Sequence, residues 1–121
     1  MVSIDEHRQV WAKVNAQVDE GIAEVVCLLN SIPDLQTLDS CQGTPLGVKP
    51  AHVYFYYGDW KNICHFMFEI LGPQLAEAVT GNHIASVEVF NGSNPMGKLS
   101  FDTEATNVVT SVLRRVANYR P

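Results

Sequence analysis

The sequence predicts an α+β fold: a single domain of two helix-strand-strand units plus a C-terminal helix, with a mainly antiparallel four-stranded sheet packed on the helices. Three observations predict it. Apolar residues recur at helical spacing in separate stretches, and alternating segments with turn chemistry between them follow the first two of these. The length of 121 residues with 46% hydrophobic positions suits one core and is too short for two ordinary domains.

The elements follow in order. Ser3-Ile4-Asp5-Glu6 has capping-box spacing and predicts a short first helix ending near Gln17. Ile22, Val25, Val26, Leu29 and Ile32 recur at helical spacing, and Pro33 stops the run, so residues 19–31 read as a buried helix. Residues 35–41 and 51–57 read as paired strands, separated by a loop whose glycines and prolines exclude regular structure. Asp59 caps a central helix running from Trp60 toward Val79, bent or broken at Gly72-Pro73 and deeply buried. Residues 83–90 and 97–102 form a second pair around the turn cluster Asn91-Gly92-Ser93-Asn94-Pro95. Asp102 or Thr103 caps a last helix whose stripe is Val108, Val109, Val112, Leu113 and Val116.

Strand alternation then assigns faces. Val53, Phe55, Ala85, Val87, Val89, Leu99 and Phe101 point toward the helices, while His52, Tyr54, Tyr56, Ser86, Glu88, Phe90, Lys98, Ser100 and Asp102 take the opposite face. A polar face rich in rings suits a ligand cleft or a subunit interface, although tyrosine is also common in ordinary strands.

Composition narrows the function. The formal net charge of -5 disfavours long nucleic acid as a partner, since phosphate backbones are repelled unless Arg114, Arg115, Arg120 and Lys98 cluster. Cys27, Cys41 and Cys64 lack the spacing of a disulfide framework or a closed zinc site, which points to a reducing cytoplasm and predicts no metal. No stretch reads as a signal peptide or a membrane span, so a soluble protein without membrane partners is expected.

The richest chemistry lies at the end of the first strand pair. Asp39, Ser40, Cys41, Gln42, Gly43 and Thr44 bring small polar groups, a thiol and a glycine to one turn, and His52, Tyr54, Tyr56, Glu88 and Phe90 add a ring-bearing face beside it. Those eleven positions are the candidate ligand-binding residues. Cys41 with His52 as a base would make a nucleophile, but a cysteine packed at a strand end explains it more simply, and no catalytic residue is assigned. Cys64-His65 reads as helix core, because adjacent helical residues do not chelate one ion. Glu69, in an apolar run, needs a polar partner.

The run Leu28-Leu29-Asn30-Ser31-Ile32-Pro33-Asp34-Leu35-Gln36-Thr37-Leu38-Asp39-Ser40-Cys41-Gln42-Gly43 resembles the helix, turn and Ser-Cys-x-Gly segment of the wybutosine-synthesising tRNA methyltransferases. It also resembles small uncharacterised bacterial and phage proteins that share the segment. The resemblance implies ligand-site roles for Ser40, Cys41 and Gly43, and for the enzymes it implies S-adenosylmethionine and modified-guanosine chemistry on tRNA. Those enzymes carry a basic residue where this chain has Thr44.

The expectation is a cytoplasmic homo-oligomer that binds a nucleotide-like small molecule between the Asp39 to Thr44 turn and the ring face without turning it over and without a cofactor. Such a protein would act as a sensor or, in a phage, sequester an immune signalling nucleotide. The alternatives are an S-adenosylmethionine-dependent RNA-modifying enzyme and an acidic protein-binding inhibitor.

Overall fold

The first helical turn of the core is anchored by Ile22, Val25, Val26 and Leu29, all essentially inaccessible to solvent. They recur at the spacing that puts one stripe inward, and they define α1 (Ala23–Asn30). The computed structural model describes residues 9–11, 17–44, 49–81 and 83–118. Within them, β1 (Gln9–Trp11) and β2 (Gln17–Asp19) form a small antiparallel pair of their own. The expected first helix is therefore corrected. Val10, Trp11 and Val18 are β-branched or aromatic, and an extended backbone suits them better than a helix. The capping box at Ser3 and Glu6 lies outside the described residues.

The main sheet is built from β3 (Leu35–Cys41), β4 (Ala51–Tyr57), β5 (Ala85–Phe90) and β6 (Met96–Phe101). Its order is β3-β4-β6-β5, and every neighbouring pair is antiparallel. This is the predicted α+β architecture, with each strand pair following a helical unit. Alternation is clean in β4, where Ala51, Val53 and Phe55 are buried and His52, Tyr54 and Tyr56 are half-buried.

Between the strand pairs, α2 (Trp60–His65) continues through a π-helical turn at Phe66–Leu71 into α3 (Gly72–Ala78). Asp59 caps α2 as expected, its Oδ1 accepting from the Asn62 N–H at 2.9 Å. Pro73 explains the π-helical turn. It has no N–H to give, and its ring would meet the carbonyl four residues back. The helix widens just before it, and the Gly72 N–H donates to the Met67 carbonyl five residues back. At Gly97 a Cβ would lie 3.1 Å from Ile63 Cδ1, Met67 Cε and Phe55 Cε1, so a glycine there lets this helical arm press directly on β6.

A 3-10 turn at Thr103–Ala105 leads into α4 (Thr106–Ala117), whose Val109, Val112, Leu113 and Val116 close the core against α1. Arg114 pairs with Glu24 across those two helices. No side chain caps α4 at Asp102 or Thr103, contrary to expectation. The Asp102 carboxylate instead accepts from the Ile84 N–H at 3.0 Å, and the Thr103 hydroxyl donates to the Thr44 carbonyl at 3.2 Å. These groups tie the start of the last helix to the two strand pairs.

The link from α1 to β3 is the most tightly specified local feature. Ile32-Pro33-Asp34-Leu35 closes with a Leu35 N–H to Ile32 carbonyl bond of 3.2 Å, with Asp34 at φ 69°. Proline second and a left-handed residue third is the pattern of a type II turn. Beneath it, Asn30 Nδ2 donates to the Val26 carbonyl at 3.0 Å and to Thr37 Oγ1 at 2.6 Å, while its Oδ1 accepts from the Thr37 N–H at 3.1 Å. One carboxamide thus joins the helix end to the middle of β3. Replacing it leaves the Thr37 N–H without its acceptor in a half-buried place. Asn30→Ala is expected to destabilise the fold by about 2–3 kcal/mol in urea titrations, and Asn30→Asp, which keeps the acceptor, by less.

Candidate functional site

The face of the sheet away from the helices is organised by register. Residues directly opposite one another in an antiparallel sheet share a face, so the pairings define three rows across it. Gln36, Tyr56, Met96 and Phe90 make one row; Asp39, Tyr54, Lys98 and Glu88 the next; Cys41, His52, Ser100 and Ser86 the third. The rows bring rings, one cation and two carboxylates together.

β3 joins those rows only because of a bulge. Its pairing with β4 shifts between Thr37 and Asp39, so that Thr37 faces Phe55 and Asp39 faces Tyr54, with Leu38 as the extra residue. Leu35 and Thr37 lie on the inner face. Without the bulge Asp39 and Cys41 would follow them inward; with it they turn out beside Tyr54 and His52. Leu38 is left 41% exposed.

The rings touch. His52 and Tyr54 meet edge to face with centroids 5.5 Å apart, and Tyr54 and Phe90 lie tilted at 6.4 Å. Lys98 Nζ stands 5.3 Å from the centroid of the Tyr54 ring, within cation–π range. His52 is held below its ordinary value of 6.5, first by burial and then by the positive charge of Lys98, with Asp39 pulling the other way and Lys49 adding to the depression. At neutral pH the imidazole is therefore uncharged and behaves as a polar ring.

Of the candidate residues, Asp39, Cys41, His52, Tyr54, Tyr56, Glu88 and Phe90 share this face. The others do not. Ser40 pairs with Val53 on the inner side, and its N–H bonds the Asp39 carboxylate at 3.0 Å. Gln42 Oε1 accepts from the Gly21 N–H at 2.7 Å, tying β3 to the start of the core helix. Gly43 has φ 75°, and a Cβ there would fall 2.5 Å from the Lys49 carbonyl, so this glycine lets the loop close on itself. Thr44 closes it, its N–H donating to that Lys49 carbonyl at 2.8 Å. The Thr44 backbone donor is thus used within the loop. Thr44 Oγ1 is buried with no hydrogen-bond partner among the described residues.

Lys98 is the residue that sequence reasoning put on the right face and left out of the site. Its signal was a lone cation alternating with Gly97, Leu99 and Phe101 in a strand. Lys49 was missed altogether because its position depends on the loop closure at Gly43. Away from the sheet, a groove of about 660 Å³ lies beside the helical arm, lined by Tyr57, Trp60, Lys61, His65, Phe68 and Glu69 among others. Burial of this arm is corrected in part. Phe68 is 52% exposed, and the exposed His65 and Glu69 pair at 3.1 Å one helical turn apart. Helical spacing from the buried Ile63, Phe66 and Met67 sets Phe68 and Glu69 on the far side, while Leu71 and Leu75 stay in the core. Among the described residues no group of three or more His, Cys, Asp or Glu side chains could hold a metal ion, and no helix is long and apolar enough to cross a membrane.

No family model, no curated protein and no solved structure matches the chain.

Three outcomes test this geometry. His52 should titrate by NMR with a midpoint below 6.5, and Lys98→Gln should bring it part of the way back, since burial remains. Because the folded state binds the proton less readily than the unfolded chain, stability should fall as pH drops from about 6.5 toward that midpoint. Thr44→Val, which removes a hydroxyl with no partner among the described residues at nearly constant shape, should leave stability unchanged or raise it by up to about 1 kcal/mol in urea titrations.

Proposed function

We propose that the protein binds a nucleotide-derived small molecule on the outer face of its sheet and does not turn it over. The observation that carries this reading is the set of four rings, His52, Tyr54, Tyr56 and Phe90, on the face opposite the helices, with Lys98 over the Tyr54 ring at its middle row. Flat rings stack on a base whatever its identity, and one ammonium group answers a phosphate without favouring a long polyanion. Asp39 and Glu88 at either side of the central row supply acceptors for ribose hydroxyls or exocyclic amines. A net charge of -5 supports a small ligand over a polynucleotide. If the likeness of the Asn30 to Gly43 segment to small uncharacterised bacterial and phage proteins reflects a phage origin, binding without turnover would suit the sequestering of an immune signalling nucleotide.

A thermal-shift screen against nucleotides, cyclic oligonucleotides, ADP-ribose derivatives and S-adenosylmethionine tests the proposal, because a ligand that binds the folded state raises its apparent stability. At least one of the first three classes should stabilise the protein. Tyr54→Ala should then weaken that ligand by about 5- to 100-fold, the range expected for losing one stacked base. The ligand recovered after heat denaturation should have an unchanged mass. Stabilisation by S-adenosylmethionine alone, or recovery of an altered molecule, would turn the reading toward the methyltransferase alternative.

A further inference from the structure

The two edges of the sheet are not alike. β3 carries a bulge at Leu38, and β2 lies close beside it. β5 carries no proline, no lysine and no bulge over Ala85–Phe90, and among the described residues no strand pairs with its far side. Edges of that kind offer a row of unpaired N–H and carbonyl groups to another strand. The two ends of β5 also bear apolar side chains, with Ile84 65% and Phe90 41% exposed.

Which groups face outward follows from one bond. The Asp102 N–H donates to the Ile84 carbonyl at 3.0 Å, which marks Ile84 as bonded toward β6. Bonding direction alternates along an antiparallel strand, so Ser86, Glu88 and Phe90 also bond toward β6. Ala85, Val87 and Val89 direct their N–H and carbonyl groups to the free edge.

We propose that β5 pairs antiparallel with β5 of a second copy of this chain, on a two-fold axis through Val87. Opposed residues must share a face, so the axis passes through a residue rather than between two. Two centres give the longest overlap, Val87 and Glu88. An axis at Glu88 sets two carboxylates against each other, which opposes pairing. An axis at Val87 sets Ser86 against Glu88, Ala85 against Val89 and Ile84 against Phe90. The outward groups of Ala85, Val87 and Val89 then form about six inter-strand bonds, two for each of the three bonded pairs. Each exposed Ile84 is covered by a Phe90 from the other copy. The result is one continuous sheet with both ring-bearing faces on the same side. This interface does not depend on any ligand.

Sedimentation equilibrium on the full chain across about 1 to 300 µM reads the proposal directly. A monomer-dimer equilibrium is expected. Ser86 is exposed, so its substitutions leave the core intact. Ser86→Glu, which places a carboxylate against Glu88 of the other copy, should weaken the dimer about three- to tenfold, and Ser86→Lys should tighten it by a similar factor. Both changes should shrink in high salt. A chain that stays monomeric throughout, or a dimer indifferent to both substitutions, overturns the proposal. A monomer that gains stability only on adding an extended peptide would show instead that the edge takes a foreign strand.

Discussion

The candidate site depends on one extra residue in β3. Leu38 adds a single residue to the strand, and that reverses which side chains face out from there onward. Before it, Leu35 seals the core and Thr37 lies on the inner face against Phe55; after it, Asp39 and Cys41 stand beside Tyr54 and His52. The bulge holds its place because the residue before it is held. Asn30 grips the Thr37 backbone N–H and hydroxyl from the end of α1, and the turn through Pro33 and Asp34 sets the distance between them. If the register slipped by one residue, Thr37 would lose both of these bonds. A helix terminus and a turn therefore determine the surface chemistry two residues farther along the strand.

The loop after β3 obeys a second constraint, close approach. Gly43 sits almost on the Lys49 carbonyl, Thr44 pairs with Lys49, and Thr103 reaches over from the start of the last helix to the Thr44 carbonyl. The segment that looked like a ligand cradle is mostly a structural joint. Gln42 is tied to Gly21 at the entrance of the core helix, and Gly43 and Thr44 hold the loop closed. This gives a physical reading of the Ser-Cys-x-Gly pattern. Cys41 belongs to the outer face, Ser40 to the inner one, and the glycine permits the chain to turn back. Such a segment is expected wherever this joint is used, whatever the ligand.

Much of the fold was legible in the residues. Period-two alternation in Ala51 to Tyr57 and in Ala85 to Phe90 gave strands and faces correctly, because each strand has one side against the helices and one side away from them. Pro33, Asp59 and Gly72-Pro73 each marked a stop, a cap or an irregularity where the structure has one. The bulge was not legible, since Leu35 and Leu38 at a spacing of three break alternation without saying which neighbour absorbs the extra residue. The 9–19 pairing was missed because a helix-start signal at Ser3 outweighed the β-forming Val10, Trp11 and Val18. The exposure of Phe68 was within reach of the helical period, which sets it opposite Ile63, Phe66 and Met67; reading the whole apolar run as buried passed over it.

The electrostatics of the outer face favour discrimination over raw attraction. Lys98 lies between Tyr54 and Glu88 in one row, so its charge is partly answered on both sides before any ligand arrives. An anion approaching that row meets Asp39 and Glu88 as well, and each like charge within a few ångströms opposes binding on the scale of a kcal/mol near a surface. A polyphosphate or nucleic-acid strand crossing that row would bring more than one phosphate near the two carboxylates. A ligand with one phosphate, an uncharged base and hydroxyls meets that repulsion once and can turn its donors toward the carboxylates. His52 fits the same pattern, because Lys98, Lys49 and burial keep it neutral, and a neutral ring stacks or donates without adding a second cation. Under the proposed reading, the arrangement would favour shape and hydrogen bonding around a single negative charge.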